Sequence, residues 1–341
     1  MVQKQITQVN NPVQKQLIKL FHNSGLPNHF NHYGNKEFTN YQRISLMVLF
    51  RKSKKSIRDF IEWLCESRWS SWLGLKKIPG KSTFHDWLML FGTALIRKLV
   101  ELVTDISDLK VAAIDGTGIP SNYRSPYYEK RRKEFKLKTS RPYNKLDIIA
   151  DTNKKKHIIN YSFLLKNRND SFVGKKLIKK FKFKRVKIVA DKGYPDYKFM
   201  EMAKENQNNF ISPPKDYKGK CKHNNFKRLR KERNYQSNKR VYNRRPIVES
   251  VISSIKRVQD PKLRSKLPYM KKREMGWHIL LYNIRMNVKF DKSSASKQTL
   301  VSYFFVILVV LVIPDYADDN FYSSLSSLSS SISPFTLAIL A

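Results

Sequence analysis

Between Leu109 and Ser212 the chain alternates short apolar runs with turn-forming clusters and helix-like segments, and this alternation restricts it to an α/β architecture. Leu109–Ile114 reads as a buried strand. Leu146–Ala150 and Ile158–Leu165 read as a hairpin around the turn Asp151–Lys156. Val186–Ala190 is a fourth strand, and Asn209–Ser212 a short fifth that Pro213-Pro214 stops. Leu177–Phe183 closes a basic helix, and a helix through Phe199–Lys204 separates the last two strands. Two runs end in an aspartate and a glycine-containing turn: Asp115-Gly116-Thr117-Gly118 and Asp191-Lys192-Gly193-Tyr194-Pro195-Asp196. An aspartate in a turn after a strand is common. A pair of them places two carboxylates at sheet ends, where the backbone turns away and leaves room for a ligand.

A third acid belongs with them. In Tyr242–Lys256, YNRRPIVESVISSIK, Pro246 suits a first helical position, and the helix is predicted to run to Val258. At about 100° per residue, Ile247, Val251, Ile255 and Val258, widened by Val248 and Ile252, form a stripe centred near ~40°. Glu249 and Lys256 then fall at roughly 200° and 180°, on the exposed face. A carboxylate there suits a divalent cation and a lysine a phosphate. Pro246 disfavours helical geometry at Arg245, and the plain alternative for the helix is an amphipathic element with a solvated charged face.

Charge decides what this face meets. The chain carries 67 Lys and Arg against 27 acids, a formal net charge of +40, which repels itself unless a polyanion or counterions offset it. The basic residues extend from Lys4 to Lys297 among aromatics instead of clustering beside an apolar segment, which favours nucleic acid over an anionic membrane. Between Tyr217 and Arg245 twelve Lys and Arg and one acid are interleaved with Tyr217, Phe226, Tyr235 and Tyr242. Such a run suits phosphate contacts with aromatic packing or stacking, and equally a solvated loop.

Upstream, residues 1–40 read as a polar arm and 41–105 as a helical region. Ser56 with Asp59 resembles a capping box, and Thr83 with Asp86 opens a helix that carries Trp87, Leu88, Leu95 and Ile96 towards Val103. Two helices and a turn in a basic segment fit a helix-turn-helix DNA reader or a plain bundle. Gly80-Lys81-Ser82 looks like the end of a phosphate-binding loop, but Gly74 is misplaced by one residue and no apolar strand precedes it. Downstream, Met275–Val288 is predicted as a last amphipathic helix. The tail, 291–341, differs in kind: no Lys or Arg follows Lys297, and Leu300–Ile313 is almost wholly apolar. That run falls short of the about 20 residues that span a bilayer, so it reads as a core-packing strand, an interfacial segment or an exposed sticky tail. Cys65 and Cys221 form no C-x-x-C pair and Met1–Asn10 lacks a signal-peptide core, which points to a cytoplasmic, nucleoid-associated protein.

The order strand-Asp, strand-Asp, helix-Glu is similar to that of the DDE transposases of prokaryotic insertion sequences. Tyr242, Arg245, Glu249 and Lys256 match at every spacing the signature of the group that carries Y-R-E-K. Asp115-Gly116-Thr117 and Asp191-x-Gly193-Tyr194 resemble the blocks around the first and second aspartates of the family, and Tyr282-Asn283 fits it too. The resemblance covers roughly Tyr41–Phe290. It implies a ribonuclease-H-like core, a mixed five-stranded sheet with flanking helices, in residues 106–290, with first and fourth strands adjacent. It implies Asp115, Asp191 and Glu249 as catalytic metal ligands for Mg²⁺ or Mn²⁺, two ions, and Tyr242, Arg245, Lys256, Lys192 and Arg244 as DNA contacts. The expected partners are double-stranded DNA, as element ends and target, and a second copy of the chain, with no small-molecule substrate. The expected activity is strand cleavage and transfer; the alternative is an inactive or nuclease-only relative that acts as a basic DNA-binding protein.

Overall fold

The computed structural model describes residues 11–30, 36–104, 106, 108–120, 144–165, 169–194, 197–214, 225–259 and 263–312. Tyr217, Pro195-Asp196 and the Ser-rich stretch after Ile313 lie outside the described residues. The chain divides into two compact units, Met1–Val288 and Lys289–Ala341.

The first unit is built on five strands, β1 Val111–Ile119, β2 Asn144–Asp151, β3 Ile158–Leu164, β4 Lys187–Ala190 and β5 Asn209–Ile211, in the spatial order β3-β2-β1-β4-β5. β1, β2 and β3 pair antiparallel, whereas β4 runs parallel to β1 and β5 parallel to β4. This is the expected mixed five-stranded sheet with flanking helices, with the first and fourth strands adjacent. The tetrapeptide Asp115-Gly116-Thr117-Gly118 departs from expectation. It is no turn but the second half of β1, laddered to β2 as far as Ile119↔Asn144. β2, remote in sequence, supplies the backbone partners that extend the strand.

Among the described residues six helices precede the sheet: α1 Pro12–Ser24, α2 Asn40–Ser53, α3 Ile57–Glu66, α4 Trp69–Trp72, α5 Lys81–Leu90 and α6 Thr93–Val103. Part of the stretch that reads as a polar arm is therefore helical: Asn11 caps α1, Pro12 opens it, and Leu17 and Leu20 are buried. Thr39 and Gln42 form a capping box at α2, whose residues Asn40–Arg51 are buried on every face. Ser56 caps α3, accepting from the Asp59 amide at 3.3 Å, as its sequence suggests. The single helix expected from Thr83 to Val103 is two. Gly80 precedes the first and Phe91-Gly92 breaks the chain before the second. The break seats Phe91, fully buried, edge-on to Trp277 at 5.7 Å between ring centroids.

Helices α7 Asp170–Lys179 and α8 Tyr197–Glu205 make the crossovers between β3 and β4 and between β4 and β5. Beyond the sheet come α9 Asn225–Ser237, α10 Lys239–Tyr242, α11 Pro246–Ser254 with a π-helical turn at Ile255–Gln259, and α12 Pro268–Val312. α12 begins earlier and ends later than its amphipathic pattern predicts. Residues Glu274–Ile284 are buried through three turns, so this stretch is a core helix. A Cβ on Gly276 would sit 2.7 Å from Ile96 Cγ2 and 2.9 Å from Tyr161 Oη, which shows how tightly α12 wedges between α6 and β3. The Asn283 side chain works as a strand edge, accepting from Ile158 N–H and donating to Ile158 C=O and Thr104 Oγ1, each at 2.9 Å. Tyr282 donates to Lys156 C=O at 3.1 Å. Buried Glu274 accepts from Arg51 at 2.9 Å and from the amides of Arg264 and Ser265, tying α2 to α12. Burial alone would raise this carboxyl, but Arg51 and those amides outweigh it and hold it below the usual range.

The described part of the second unit is the continuation of α12, helical to Val312, so the apolar run is not a strand. No glycine or proline intervenes between Lys289 and Val312, so a helix begun upstream propagates through this stretch. Among the described residues no helix is long and apolar enough to cross a membrane.

Candidate active site

Register brings the two aspartates together. The parallel ladder ends at Ile114↔Ala190, so Asp115 and Asp191 are the next residues on neighbouring strands. Side chains alternate across a sheet, and Asp115, opposite Ile148, shares the face on which Val248 and Val251 of α11 pack. Both acids therefore face α11.

On α11 the buried residues are Val248, Val251, Ile252 and, in the π-helical turn, Ile255, whereas Ile247 is only partly covered and Val258 is 36 % exposed. The apolar stripe is thus rotated from the expected one. At about 100° per residue its centre lies near ~90°, which puts Glu249 on its flank instead of opposite it. Glu249 consequently borders the sheet edge where the aspartates emerge.

Arg245 sits among the three acids. Its Nη2 lies 3.8 Å from Asp115 Oδ2 and 3.9 Å from Asp191 Oδ1, and its Nη1 lies 2.8 Å from Glu249 Oε1. The Arg245 side chain is 19 % exposed, and its buried Nε has no hydrogen-bond partner. The backbone is helical at Arg245, φ −54° and ψ −42°, despite the following proline. Backbone hydrogen bonds from Arg245 N–H to Tyr242 C=O at 2.8 Å and from Val248 N–H to Arg245 C=O at 3.0 Å offset the local preference, and helical geometry makes Arg245 and Glu249 an i,i+4 pair. A charge pair at 4 Å is worth ~1 kcal/mol in water and ~4 kcal/mol at an effective dielectric of 20. One guanidinium against three carboxylates leaves a surplus of negative charge. Burial raises the Asp115 carboxyl, as do Glu249 and Asp191, while the Gly116 amide, donating at 2.8 Å, and Arg245 oppose the shift.

The remaining expected contacts surround this centre. Tyr242 is half-buried against Tyr235, ring centroids 5.1 Å apart, and burial raises its phenol. Arg244 is exposed, and its charge acts on Asp151 of β2. Lys192, in the turn after β4, and Lys256, in the π-helical turn, are exposed. Among the described residues no ion pair joins either lysine to the three acids.

Behind the aspartates, on the opposite face of the sheet, lies a polar cluster that reading the sequence misses. Asp147, fully buried, is paired with Gly116 across the ladder; Lys145 Nζ lies 3.8 Å from it and contacts Asp170, and Tyr194 donates to it at 3.4 Å. Burial first, then Asp170 and Asp115, push the Asp147 carboxyl up to about 7 against the opposing pull of Lys145 and the Tyr194 hydrogen bond. Asp147 Oδ2 has no hydrogen-bond partner. Lys145 and Asp147 stand two apart in a strand and must share a face, a signal that was available in the sequence.

Oxygen donors from three carboxylates on one face suit a hard divalent cation. Among the described residues, however, no three acids already stand as a group that could hold a metal ion. No curated protein matches the chain. Among solved structures, one described as the cryo-EM structure of the piggyBac transposase synaptic complex with hairpin DNA is similar, with a TM-score of 0.41 and 12% identity over 84% of this chain and 74% of that one. The family model for the transposase DDE domain matches residues 106–284, the sheet, α11 and most of the buried part of α12, and the chain belongs to that family.

Proposed function

We propose that this transposase binds the ends of a DNA element and catalyses metal-dependent strand cleavage and strand transfer, with Asp115, Asp191 and Glu249 as its catalytic carboxylates. The observation that carries the reading is their convergence: two strands and a helix deliver three acids to a single guanidinium within 3.9 Å. The matched spacing of Tyr242, Arg245, Glu249 and Lys256 supports membership of the Y-R-E-K group.

In this reading the three carboxylates hold Mg²⁺ or Mn²⁺, and two such ions supply activation of the attacking oxygen and stabilisation of the leaving one. Water attacks the phosphorus at the element end, the P–O3′ bond breaks, and a 3′ hydroxyl is freed. That hydroxyl attacks a target phosphorus, forming the new phosphodiester and releasing the target's own 3′ oxygen. Arg245, Arg244, Lys192 and Lys256 hold phosphates beside the acids, and Tyr242, packed on Tyr235, lines the approach. The net charge of +40 supplies attraction to duplex DNA that weakens steeply with salt. By its resemblance to the family, the chain acts as a homodimer on paired ends.

The deciding experiment is cleavage of a labelled duplex carrying the element end, with Mg²⁺ or Mn²⁺, by the intact chain and by Asp191→Ala. Metal-dependent nicking at the boundary that disappears in the variant is expected. DNA binding with no cut by either protein would reduce the chain to a DNA-binding relative and overturn the catalytic reading.

A further inference from the structure

We propose that the Arg245 guanidinium and the divalent cation compete for the same three carboxylates, so that metal loading depends on transfer of Arg245 to a DNA phosphate. The inference rests on the reading of Asp115, Asp191 and Glu249 as the metal-holding set and adds a regulation of that set.

Arg245 is the cation that the structure places among these acids, at 2.8 Å from Glu249 and at 3.8 and 3.9 Å from the two aspartates. Guanidinium and hard cation seek the same oxygens and repel each other, so the site does not hold both at full strength. The grip on the aspartates is also loose. Both distances exceed a hydrogen bond, and Nε is buried without a hydrogen-bond partner. The guanidinium can therefore leave by side-chain rotation, with the α11 backbone in place.

Its destination follows from its surroundings. Arg244 and Lys192, the chain neighbours of Arg245 and Asp191, are exposed, as is Lys256, and phosphate takes a guanidinium in bidentate fashion. Once DNA draws Arg245 away, the carboxylates regain their full negative charge. Linkage then requires DNA to tighten metal binding by the same factor by which metal tightens DNA binding. Without DNA the chain stays poorly loaded, which restrains cutting off its substrate.

The test measures Mn²⁺ binding to the full chain by the electron paramagnetic resonance of the free ion, with and without a short duplex, for the unmodified protein, Arg245→Gln and Glu249→Gln. Without DNA, Arg245→Gln is expected to bind Mn²⁺ at least about tenfold more tightly than the unmodified chain, and duplex is expected to tighten the unmodified chain about 5–150-fold while changing the variant little. Unchanged or weaker binding by Arg245→Gln overturns the competition. If Arg245→Gln fails to fold, the unmodified chain decides alone: no gain in Mn²⁺ affinity with duplex overturns the proposal. Glu249→Gln separates the two readings. A Mn²⁺ affinity it leaves intact discards the metal-holding set and the competition with it, whereas a weakened affinity with no effect at Arg245 discards the competition only.

Discussion

Gly116 faces Asp147 across the β1–β2 ladder so closely that a Cβ on Gly116 would sit 2.5 Å from Asp147 Oδ1 and 3.4 Å from Asp170 Oδ1. The glycine thus serves close approach between strands, since its neighbour Asp115 points to the other face. Gly116→Ala is expected to destabilise the fold by about 1–3 kcal/mol through overpacking and to weaken Mn²⁺ binding by shifting Asp115. Thermal melting and a Mn²⁺ titration check both, and an unshifted melting curve would sink the packing argument.

Asp147 gives the fold a pH dependence of definite sign. Its folded carboxyl is raised to about 7, so the protonated form is favoured on folding; that stability is complete below the unfolded value of about 3.9 and is lost as pH rises through about 7. The loss amounts to at most about 4 kcal/mol. Asp147→Asn, neutral at every pH, is expected to flatten the stability profile across this window. Denaturant titrations at pH about 5 and about 8 measure it, and equal pH slopes in variant and parent would contradict the assignment.

Asn283 has no connection to chemistry but a large expected effect. Removing its side chain in Asn283→Ala strands the buried N–H and C=O of Ile158, at a cost of about 3 kcal/mol in total and a melting point lower by roughly 5–10 °C. DNA binding by the folded fraction should persist. A melting point within the error of the parent would show that another group satisfies Ile158.

Removal of residues 298–341 tests the independence of the second unit. The core described for the first unit ends before Lys289, so truncation is expected to move its melting point by no more than about 2 °C. A larger fall would mean that the tail supports the first unit.

The sheet was legible in the sequence because its apolar runs are separated by strong turn signals, with a hairpin joining the second and third strands and helices before the fourth and fifth. Its edges were less so. Asp115 to Gly118 resembles a turn in isolation and becomes strand because β2 pairs with it. The convergence of Asp115, Asp191 and Glu249 matches the expectation from their order and spacing, and for the two aspartates it needed only that β1 and β4 be neighbours. Arg245 was misjudged locally, since the proline rule is a weak bias that the backbone hydrogen bonds of the turn override. The rotation of the α11 stripe escaped for a related reason: which of Ile247 and Ile252 is covered depends on where the sheet lies. Full burial of α2 and of the middle of α12 hides amphipathic signals altogether, because a helix enclosed on all sides shows no period. The polar cluster around Asp147 was overlooked because the residues of β2 were read only for their apolar content.

The ladder that stops at Ile114↔Ala190 also sets which copying errors such a gene survives. The connecting loops between β1 and β4 can lengthen or shorten with no effect on how Asp115 meets Asp191, since two fixed strands define the meeting. Deleting a single residue within Val111–Ile114 is another matter: with strand pairing kept, it carries the Asp115 carboxylate through the sheet to the side covered by α7 and α8. Length changes in the connections then leave the pair together, whereas a one-codon slip in any of four positions parts the two carboxylates.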